Sequence, residues 1–472
     1  MILSIDLGTS KICAAVIQID SGLPLAIRSR SNDADVPNLA DDLHEQDPYR
    51  IREICFELIR ETLADESVAH KPIQAIAISG QMHGVLLVDR SVNPITNLIT
   101  WRDRRTAREG APGSIIESLE LLDDEAINRT GCRLAVGYGA ATLRWLNQNG
   151  MIPPNCTALT IAGFIAASLC GRSAIDETHA ASWGILELGK NRWDQRCTVD
   201  LGLLPKLLPE IVASGTPMGE ISDNMRAEIE TEGPAVVCSP VGDCQASVIG
   251  CAGFSSDTVV VNLGTGAQIS IPGAVAAYTD EWDAWPRPFG GYLQLGAALC
   301  GGWAYAYLRQ FYQQIACEVC GVQLSDEAVY EAMNALAASA DVDAGGLIVD
   351  TRFSGTRKDK QPKGAIAGIN TFNFSPDNLT LAFLEGIVRD LHSMLLTSGS
   401  DCAARVVASG NAVRKNPVLG LVIQRVFDRD CFISALPEEA VRGAAYAAAV
   451  GVGAVDAAGI TAKIRGFVEP IG

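Results

Sequence analysis

The chain has 472 residues, a formal net charge of −18, and 48% hydrophobic residues. This length exceeds what one hydrophobic core usually supports, so we expect two domains and a chain that folds throughout. The acidic balance disfavours nucleic acid or an anionic membrane as the main partner, and a phosphate ligand would need backbone N–H groups and a bridging cation.

The first predicted element is a β-hairpin. The apolar run MILSI ends at Asp6, and the turn LGTS leads into a second apolar run, KICAAVIQI. Apolar residues from Ile51 to Leu63 then recur with the i, i+3, i+4 spacing of an amphipathic helix. The segment PIQAIAIS, residues 72–79, predicts a further strand that leads into Ser-Gly-Gln.

The second half of the chain repeats this order. The runs TVVVN and AQISI flank an LGTG turn, a Ser-Pro pair starts a predicted helix over residues 375–396, and ARVVAS predicts a strand that leads into Ser-Gly-Asn. Hairpin, helix, strand and Ser-Gly in the same order predict a duplicated domain. The boundary is placed where Gly and Pro interrupt the chain near residues 235–242, which predicts domains 1–238 and 239–472.

The two Gly-Thr turns have residues suited to binding phosphate. Such a turn exposes backbone N–H groups, and the threonine adds a hydroxyl donor. Asp6 ends the first strand and could hold Mg²⁺ or a magnesium-bound water, whereas its counterpart Asn262 is neutral. The alternative for each turn is a tight hairpin that uses glycine for positive φ. The occurrence of two such turns at equivalent positions favours ligand binding.

Six short motifs follow one another along nearly the whole chain. They are DLGTS (6–10), ISGQMHG (78–84), WRDRRT (101–106), VGDCQAS (241–247), NLGTG (262–266) and ASGNAVRKNP (408–417). Together they resemble the FGGY carbohydrate kinases. The resemblance implies an α/β fold of two duplicated actin-like (ribonuclease H-like) ATPase domains with an interdomain cleft. It also implies ATP and Mg²⁺ as cofactors, with sugar bound mainly by the first domain and nucleotide mainly by the second.

Asp243 is the catalytic residue that the resemblance implies. Phosphoryl transfer needs a carboxylate near the attacking hydroxyl group, and Asp243 lies where an apolar strand-like run passes into a helix-like one. The alternative is a helix N-cap, which would contribute roughly 0.5–2 kcal/mol to stability, and the two roles can coexist. The resemblance also makes Asp6 and Asp243 the metal-directed carboxylates.

The resemblance assigns further residues to the two substrates. The sugar residues supply an amide, an imidazole, a carboxylate and an aromatic face, which suit a polyol: Gln81, Met82, His83, Trp101, Asp103 and Asp243. The residues assigned to ATP are Gly8, Thr9, Ser10, Lys11, Gly264, Thr265, Gly266, Gly410, Asn411 and Asn416. Core packing remains the alternative for His83 and Trp101, solvation the alternative for Lys11, and an ordinary strand-to-helix turn the alternative for the last three residues.

Two further features lie beside these motifs. Arg102, Arg104 and Arg105 could meet a phosphate or pair with acids, and we expect two of the three to pair with acids. The Ala- and Gly-rich segment AVRGAAYAAAVGVGAV predicts a closely packed helix behind the nucleotide site.

Three less diagnostic stretches bear on the sugar. Residues 136–146, 176–184 and 353–369 are similar to the sedoheptulokinase branch of the family. This similarity implies phosphorylation of a ketose on its terminal hydroxyl group, with sedoheptulose as first choice and xylulose as second. The other hypotheses are a regulator of the same fold without turnover and a phosphohydrolase. The expected partners are a small-molecule ketose and ATP, and the sequence leaves a homodimer open.

Cysteines and apolar segments indicate the compartment. The fourteen cysteines are scattered, and the one CxxC pair, Cys317 and Cys320, has no second pair beside it, which disfavours zinc. No charged segment precedes the first apolar run, and the apolar stretch at 157–170 is too short to span a membrane. We therefore expect a soluble cytoplasmic protein with reduced thiols.

Overall fold

The computed structural model describes residues 1–264, 266–276, 278–279, 282–356, 361, 364–398 and 405–471. Thr265, a predicted phosphate contact, lies outside this described part, as do Ala404 of the predicted strand and several residues of the stretch 353–369. None of the described helices is long and apolar enough to cross a membrane.

The first half of the chain contains strands β1–β15 and helices α1–α9. Its strands are β1 (Ile2–Leu7), β2 (Lys11–Gln18), β3 (Leu23–Ser31), β4 (Glu45–Gln46), β5 (Ala75–Gly80), β6 (Leu86–Val88), β7 (Leu98–Ile99), β8 (Thr157–Leu159), β9 (Ala174–Asp176), β10 (Leu186–Glu187), β11 (Arg192–Trp193), β12 (Glu210–Val212), β13 (Pro217–Glu220), β14 (Val236–Cys238) and β15 (Val241–Gly242). Its helices are α1 (Pro48–Leu63), α2 (Ile115–Glu120), α3 (Asp124–Thr130), α4 (Gly139–Gln148), α5 (Ile161–Cys170), α6 (Glu177–Ser182), α7 (Gln195–Asp200), α8 (Asp223–Glu228) and α9 (Asp243–Ala252).

The second half continues the numbering. Its strands are β16 (Thr258–Leu263), β17 (Ala267–Gly273), β18 (Asp283–Pro286), β19 (Tyr292–Ala298), β20 (Ile348–Asp350), β21 (Ala365–Ala367), β22 (Arg405–Ser409), β23 (Asp430–Ser434) and β24 (Val468–Pro470). Its helices are α10 (Gly302–Glu318), α11 (Asp326–Ser339), α12 (Pro376–Thr397), α13 (Asn411–Lys415), α14 (Pro417–Phe427), α15 (Glu439–Gly451) and α16 (Ala457–Arg465).

The two large sheets have the same strand order. The first runs β3-β2-β1-β5-β14-β13 and the second β19-β17-β16-β22-β23-β24, with β18 added beyond β19 and β15 pairing with β5. In both sheets the pairs along these orders run antiparallel, antiparallel, parallel, parallel and antiparallel. This correspondence confirms the predicted duplication of two α/β domains.

The register of the central strands aligns the predicted motifs. Asp6 on β1 pairs with Ser79 on β5, and Asn262 on β16 pairs with Ser409 on β22. Each hairpin turn therefore lies beside the Ser-Gly end of the neighbouring parallel strand. The polar residues of the motifs meet at the same edge of each sheet because parallel strands end together there.

The predicted helices of the repeat are α1 and α12. The N-cap of α1 is Asp47, whose side chain accepts a hydrogen bond from Tyr49 N–H, and Ser375 precedes α12. Proline occupies the first turn of both helices, where its missing N–H costs nothing. The apolar face of α1 packs into the core of the first sheet, and α12 runs through the core of the second. Both predicted helices are confirmed.

Helices α9 and α15 pack against each other where the two halves meet, and Ala246 of α9 shares the core of the first sheet with α15. Val441 and Ala445 of α15 share a core with Ile2 of the first sheet, whereas Val248 of α9 shares a core with Val260 of the second. The prediction of a closely packed helix near residues 440–455 is therefore confirmed, and its predicted place behind the nucleotide site stays a prediction. An apolar helix rich in Ala and Gly packs equally well on either sheet, so sequence alone could not choose between them.

The large sheets bear on the domain boundary. The strands of the first large sheet all precede β16, those of the second begin at β16, and α9 packs between the two sheets. The predicted boundary at 238/239 precedes β15 and stays a prediction.

Candidate active site

A cavity of about 490 Å³ lies between the two halves and is lined by residues of both. Its wall includes several residues that the sequence predicted: Asp6, Thr9, Met82, His83, Trp101 and Asp243. Residues of the second half, including Asn262 and Trp285, complete it. The structure therefore brings the first hairpin turn, the QMH segment, Trp101 and the start of α9 to one place.

Asp243 is the first residue of α9 and faces this cavity. The helix N-cap is Gly242, and the carboxylate of Asp243 accepts a hydrogen bond from Cys244 N–H at 2.8 Å. Burial, followed by the negative charge of Asp6, raises the pKa of Asp243 to about 7, while the nearby His179 opposes the rise. A carboxylate with this pKa can accept a proton near neutral pH, which is what a general base requires. The alternative role as an N-cap is not what the structure shows.

Asp6 faces the same cavity from the end of β1. The Ser79 hydroxyl group donates a 2.6 Å hydrogen bond to its Oδ1, which fixes the carboxylate toward the neighbouring strand end. Burial raises the pKa of Asp6, the Ser79 hydrogen bond lowers it, and the charge of Glu438 raises it further. The negative charge of Asp6 raises the pKa of Asp243, and a divalent cation between the two carboxylates would relieve this repulsion.

Trp101 forms the exposed aromatic face of the cavity. Its side chain is 46% exposed, and its Nε1–H donates to Thr9 Oγ1 at 2.9 Å. Arg102 lies over the Trp101 ring, with its guanidinium carbon 5.3 Å from the centroid. The indole is thus held by the first hairpin turn while leaving a face toward the cleft.

Gln81 lies behind the wall rather than on it. The residue is 2% exposed, and its amide accepts from Thr9 Oγ1 at 3.1 Å and donates to Gln46 Oε1 at 2.9 Å. Gln46 in turn donates to Thr9 O at 2.9 Å. This network fixes the turn at Thr9, so the structure makes Gln81 a support of the site and does not bring it to the cavity.

His83 is held in an unusual backbone conformation. Its φ is 70°, its N–H donates to Ser182 Oγ at 2.9 Å, and its Nδ1 lies 2.7 Å from Ser182 O. The ring stacks on Tyr138 at 4.3 Å between centroids and meets Trp285 edge-on at 5.4 Å. A non-glycine residue with positive φ costs free energy that packed surroundings must offset, and such residues cluster at functional sites.

Asp103 is placed away from the cavity. It is 2% exposed, accepts from His44 N–H at 2.9 Å, and pairs with Arg105, whose Nε lies 2.7 Å from Asp103 Oδ1. Arg105 also pairs with Glu45 at 2.5 Å. Asp103 therefore anchors the loop that carries Trp101. Of the three arginines, Arg105 alone pairs with acids within the described part of the chain, one fewer than predicted.

A second cavity of about 700 Å³ opens on the other side of the β16–β17 turn. Asn262 lines the first cavity, whereas Leu263 and Gly264 line the second. The described residues around Gly264 and Gly266 leave open space where a side chain would be, and Gly264 N–H donates to Gly266 O at 3.0 Å. The end of β16 and the start of the turn thus lie between the two cavities.

The ASGN segment lines this second cavity through Asn411 and Asn416. Asn416 also caps α14, since its side chain accepts from Val418 N–H at 3.1 Å. Gly410 has φ 97°, and a Cβ there would lie 2.3 Å from Leu263 O, so it permits close contact with β16. Asn411 is the exposed member of the group.

Comparison with known proteins agrees with this geometry. Residues 1–250 match the N-terminal domain of the FGGY family of carbohydrate kinases, and residues 254–452 match its C-terminal domain. The chain belongs to this family. It is therefore a carbohydrate kinase, an enzyme that transfers a phosphoryl group from ATP to a sugar.

Individual relatives of this FGGY kinase are moderately similar. A sedoheptulokinase of Mus musculus is 28% identical over 466 residues, which cover 90% of this chain and 92% of the relative. A xylulose kinase of Staphylococcus epidermidis is 23% identical, over 84% of this chain and 76% of the relative. The crystal structure of xylulose kinase from Rhodospirillum rubrum superposes with a TM-score of 0.86 at 20% identity, over 99% of this chain and 92% of that one, which shows the fold.

The donor set of the kinase fits Mg²⁺ bound together with a nucleotide. The described residues contain no group of three or more His, Cys, Asp or Glu side chains that could hold a metal alone. Mg²⁺ commonly uses one or two carboxylates, several waters and substrate phosphates as ligands. Asp6 and Asp243 would supply the carboxylates of such a set.

The remaining residues that the sequence assigned to ATP lie at the first turn. A Cβ on Gly8 would lie 2.6 Å from Lys11 O, so the turn requires glycine, and Ser10 is exposed beside it. Lys11 donates to Glu438 Oε1 at 2.6 Å, which joins the first hairpin to the start of α15. Lys11 lines neither of the two cavities, and its predicted contact with ATP stays a prediction. The sequence could not show this pairing because the partners are 427 positions apart.

Sequence reasoning missed two aromatic residues of the cavity wall. Tyr138 and Trp285 both line it and both contact His83. Tyr138 falls in the stretch VGYGAATLRWL, which the sequence analysis singled out only for its similarity to one branch of the family. Trp285 lies on β18, a strand that the first half lacks, so the internal repeat gave no signal for it.

Proposed function

We propose that this kinase phosphorylates a ketose on its terminal hydroxyl group, with sedoheptulose as acceptor and sedoheptulose 7-phosphate as product. The observation that carries the proposal is Asp243, a partly buried carboxylate with its pKa raised to about 7, facing the cavity shared by Asp6 and Trp101. General bases of phosphoryl acceptors are carboxylates placed in this way.

In this proposal Asp243 accepts the proton of the attacking hydroxyl group while Trp101 and His83 orient the sugar. An aromatic face with polar groups around it suits a polyol, whose carbon edge is apolar and whose hydroxyl groups need partners. Bound Mg²⁺ would supply charge neutralisation between the phosphates and Asp6. Closure of the two halves around the cavity would exclude water from the transferred group.

The nucleotide is proposed to enter from the second cavity. The base and ribose would occupy the space beside Asn411 and Asn416, and the phosphates would cross the β16–β17 turn toward Asp243. Support comes from Asn262 and Gly264, which lie at one strand end yet line different cavities. Backbone N–H groups at such a turn bind phosphate without requiring a basic surface, which the net charge of −18 does not provide.

The sugar assignment rests on the sedoheptulokinase relatives, which match at 28% identity over 90% of this chain. The second candidate is xylulose, favoured by the S. epidermidis xylulose kinase at 23% identity. A cavity of about 490 Å³ is within the size range of small-molecule sites, so volume alone does not select between a seven-carbon and a five-carbon ketose.

The test is an acceptor panel with Mg·ATP and sedoheptulose, D-xylulose, D-ribulose, L-ribulose or glycerol, measuring both ADP release and the mass of the sugar phosphate. We expect the highest kcat/KM with sedoheptulose and a product phosphorylated at C7. Preference for D-xylulose would replace the proposed acceptor and keep the reaction class. ADP release independent of every sugar would contradict the kinase proposal, and Asp243→Asn serves as the control for background hydrolysis.

The proposal also includes a Mg²⁺ requirement, a cytoplasmic location and a homodimer. Titration of Mg²⁺ into metal-free protein and ATP would test the first, and light scattering of the purified protein would test the last.

A further inference from the structure

Three polar residues on and just before α6 lie behind the cavity and are fully buried. Asp176 is 1% exposed, and Thr178 and His179 are 0% exposed. They belong to the stretch DETHAASWG, and none of them lines the active-site cavity. Buried polar groups are costly unless every one of them is paired, so the partners of this cluster indicate its purpose.

Asp176 is the centre of the cluster. It caps α6 by accepting from Thr178 N–H at 3.0 Å and His179 N–H at 3.3 Å. It also accepts short hydrogen bonds from the Thr178 hydroxyl group and from His179 Nδ1, and Ser214 Oγ donates to it at 2.9 Å. The carboxylate therefore orients both of its neighbouring side chains.

The contacts of His179 determine its proton count. Its Nδ1 faces the Asp176 carboxylate, and its Nε2 lies 3.2 Å from Gly80 O. Both partners can only accept, so both ring nitrogens carry hydrogen and the ring is an imidazolium. The ring thereby ties the cluster to Gly80, the last residue of β5, two positions before Met82 of the cavity wall.

The Thr178 hydroxyl group connects the cluster to a second strand end by a hydrogen bond. It donates to Asp176 and accepts from Gly242 N–H at 2.8 Å. Gly242 pairs with Gly80 in the parallel ladder between β15 and β5, and the next residue along the chain is Asp243. Thr178 and His179 therefore hold two adjacent strand ends, one leading to the sugar wall and one carrying the carboxylate.

We propose that Asp176, Thr178 and His179 form a positioning unit that fixes the peptide before Asp243 and thus aims its carboxylate at the acceptor hydroxyl group. This inference rests on the proposed role of Asp243 as the base. The three residues touch neither substrate in this arrangement and act through Gly242 and Gly80.

The backbone at Gly242 is closely packed. A Cβ on Gly242 would lie 2.8 Å from both Gln245 Oε1 and the Met82 sulfur, and Gly242 N–H donates to Thr178 Oγ1 at 2.8 Å. Without that acceptor, Gly242 N–H would be left buried and unpaired, and the chain would shift to satisfy it. Displacement of a reacting group by about 1 Å can lower turnover on the order of 100-fold.

The test compares Thr178→Val with Thr178→Ser. Valine has the shape of threonine without the hydroxyl group, and serine retains the hydroxyl group. For Thr178→Val we expect kcat for sugar phosphorylation to fall about 100-fold, with KM for sugar and ATP within about threefold of the wild type. Thr178→Ser is expected to restore kcat to within about fivefold of the wild type. A split between kcat and KM of this kind is not expected of a residue that only stabilises the fold.

Ser214→Ala is the matched control, because Ser214 donates to the same Asp176 carboxylate but contacts neither Gly242 nor Gly80 through its hydroxyl group. We expect Ser214→Ala to keep the wild-type kcat. Equal kcat values for Thr178→Val and Thr178→Ser, or equal losses for Thr178→Val and Ser214→Ala, would overturn the positioning role.

His179→Asn keeps the inference testable if Thr178→Val does not fold. The amide can keep one donor but cannot serve Asp176 and Gly80 together, so we expect the same loss of kcat with unchanged KM, and a wild-type kcat would overturn the role. Asp243→Asn distinguishes a failure of the proposed base from a failure of the positioning unit. An active Asp243→Asn enzyme refutes the proposed base, whereas an inactive one beside a fully active Thr178→Val enzyme refutes the positioning unit alone.

Discussion

The two halves of the molecule share a hairpin, a helix and a parallel strand in the same order but carry different side chains at two corresponding places. The first hairpin turn follows Asp6, and the second follows Asn262. Asp243 begins α9, whereas Glu438 and Glu439 lie at the start of the equivalent helix α15 and pair with Lys11 and Arg414. The unpaired acids thus belong to the first half and to the helix that leaves it.

The fold shared by the two halves therefore does not by itself place the reactive carboxylates in the cavity. Both turns expose backbone, but only the first adds a carboxylate to the cavity. Both α9 and α15 begin with acidic residues, but Asp243 faces the cavity and forms no ion pair among the described residues, although the charge of His179 lowers its pKa. A carboxylate serves as a base or a metal ligand only when a neighbouring cation does not already neutralise it.

We expect the largest effect from neutralising the acid at the start of α9 and comparing it with the acid at the start of α15. Asp243→Asn removes the proposed base with little change in size, and we expect kcat to fall about 1,000-fold or more. Glu438→Gln removes an acid at the equivalent place that is paired with Lys11, and we expect it to change kcat less than about fivefold. Circular dichroism of both variants checks that they fold. Similar losses in the two variants would remove the distinction between the halves.

Single substitutions at Asp6 or Asn262 can make each turn resemble the other. Asp6→Asn makes the first turn resemble the second, and we expect about 100-fold lower turnover, partly recovered by raising the Mg²⁺ concentration. Asn262→Asp makes the second resemble the first and places a new negative charge where phosphates are proposed to pass. We expect it to raise the KM for ATP about tenfold, the equivalent of ~1.4 kcal/mol. An Asp6→Asn enzyme with the wild-type response to Mg²⁺ would contradict the metal role.

The packing of α15 against α9 can be tested by measuring the stability of glycine variants. A Cβ on Gly443 of α15 would lie 1.7 Å from Ala246 O of α9, so Gly443→Ala should force the helices apart and cost about 1–3 kcal/mol of unfolding free energy. Gly420 in α14 is the control, because its nearest neighbour would be 3.5 Å away. Gly420→Ala should be neutral or stabilising by up to ~1 kcal/mol. Thermal unfolding curves of the two variants give the comparison.

The smallest effect is the pH dependence. Because the pKa of Asp243 is raised to about 7, its carboxyl group is protonated below that pH and cannot accept the proton of the sugar. We expect kcat/KM to rise with pH up to about 7 and then to level off. Bound Mg²⁺ favours the ionised form, so kcat at saturating Mg·ATP should show a lower pKa than kcat/KM does. A flat profile between pH 5 and 8 would contradict the role of Asp243 as base.

Stability should respond to pH in the opposite direction at this residue. The folded protein retains a proton on Asp243 that the unfolded chain releases, so the free energy of unfolding falls as pH rises toward 7. Asp243→Asn should therefore unfold at a higher temperature than the wild type at pH 8, and the difference should narrow at pH 5.

Much of the fold could be predicted because its signals are local. The run before Asp6, the spacing from Ile51 to Leu63 and the Ser-Pro start of α12 each depend on neighbouring residues, and all three elements occur in the structure. Proximity of the motifs was also predictable, since parallel strands end at a shared edge.

The direction of individual side chains was less predictable. Gln81 and Asp103 occur in motifs that suit a polyol, yet both are buried and occupied by protein partners. A motif gives the residue type and its approximate place, whereas the competition between neighbours decides which polar atoms remain for a ligand. Lys11 illustrates the same limit, because Glu438 reaches it from the far end of the chain.

The amino-acid sequence by itself determined the duplicated α/β architecture, the two glycine turns and the identity of the acids at the strand and helix ends, because hydrophobic periodicity and turn chemistry act over short distances. Only the tertiary structure decided that α15 packs on the first sheet with α9 between the two sheets, that Asp243 faces a cavity with Asp6, and that Asp176, Thr178 and His179 support it from behind. Those outcomes depend on packing and charge between residues distant in the chain, and local sequence carries no record of them.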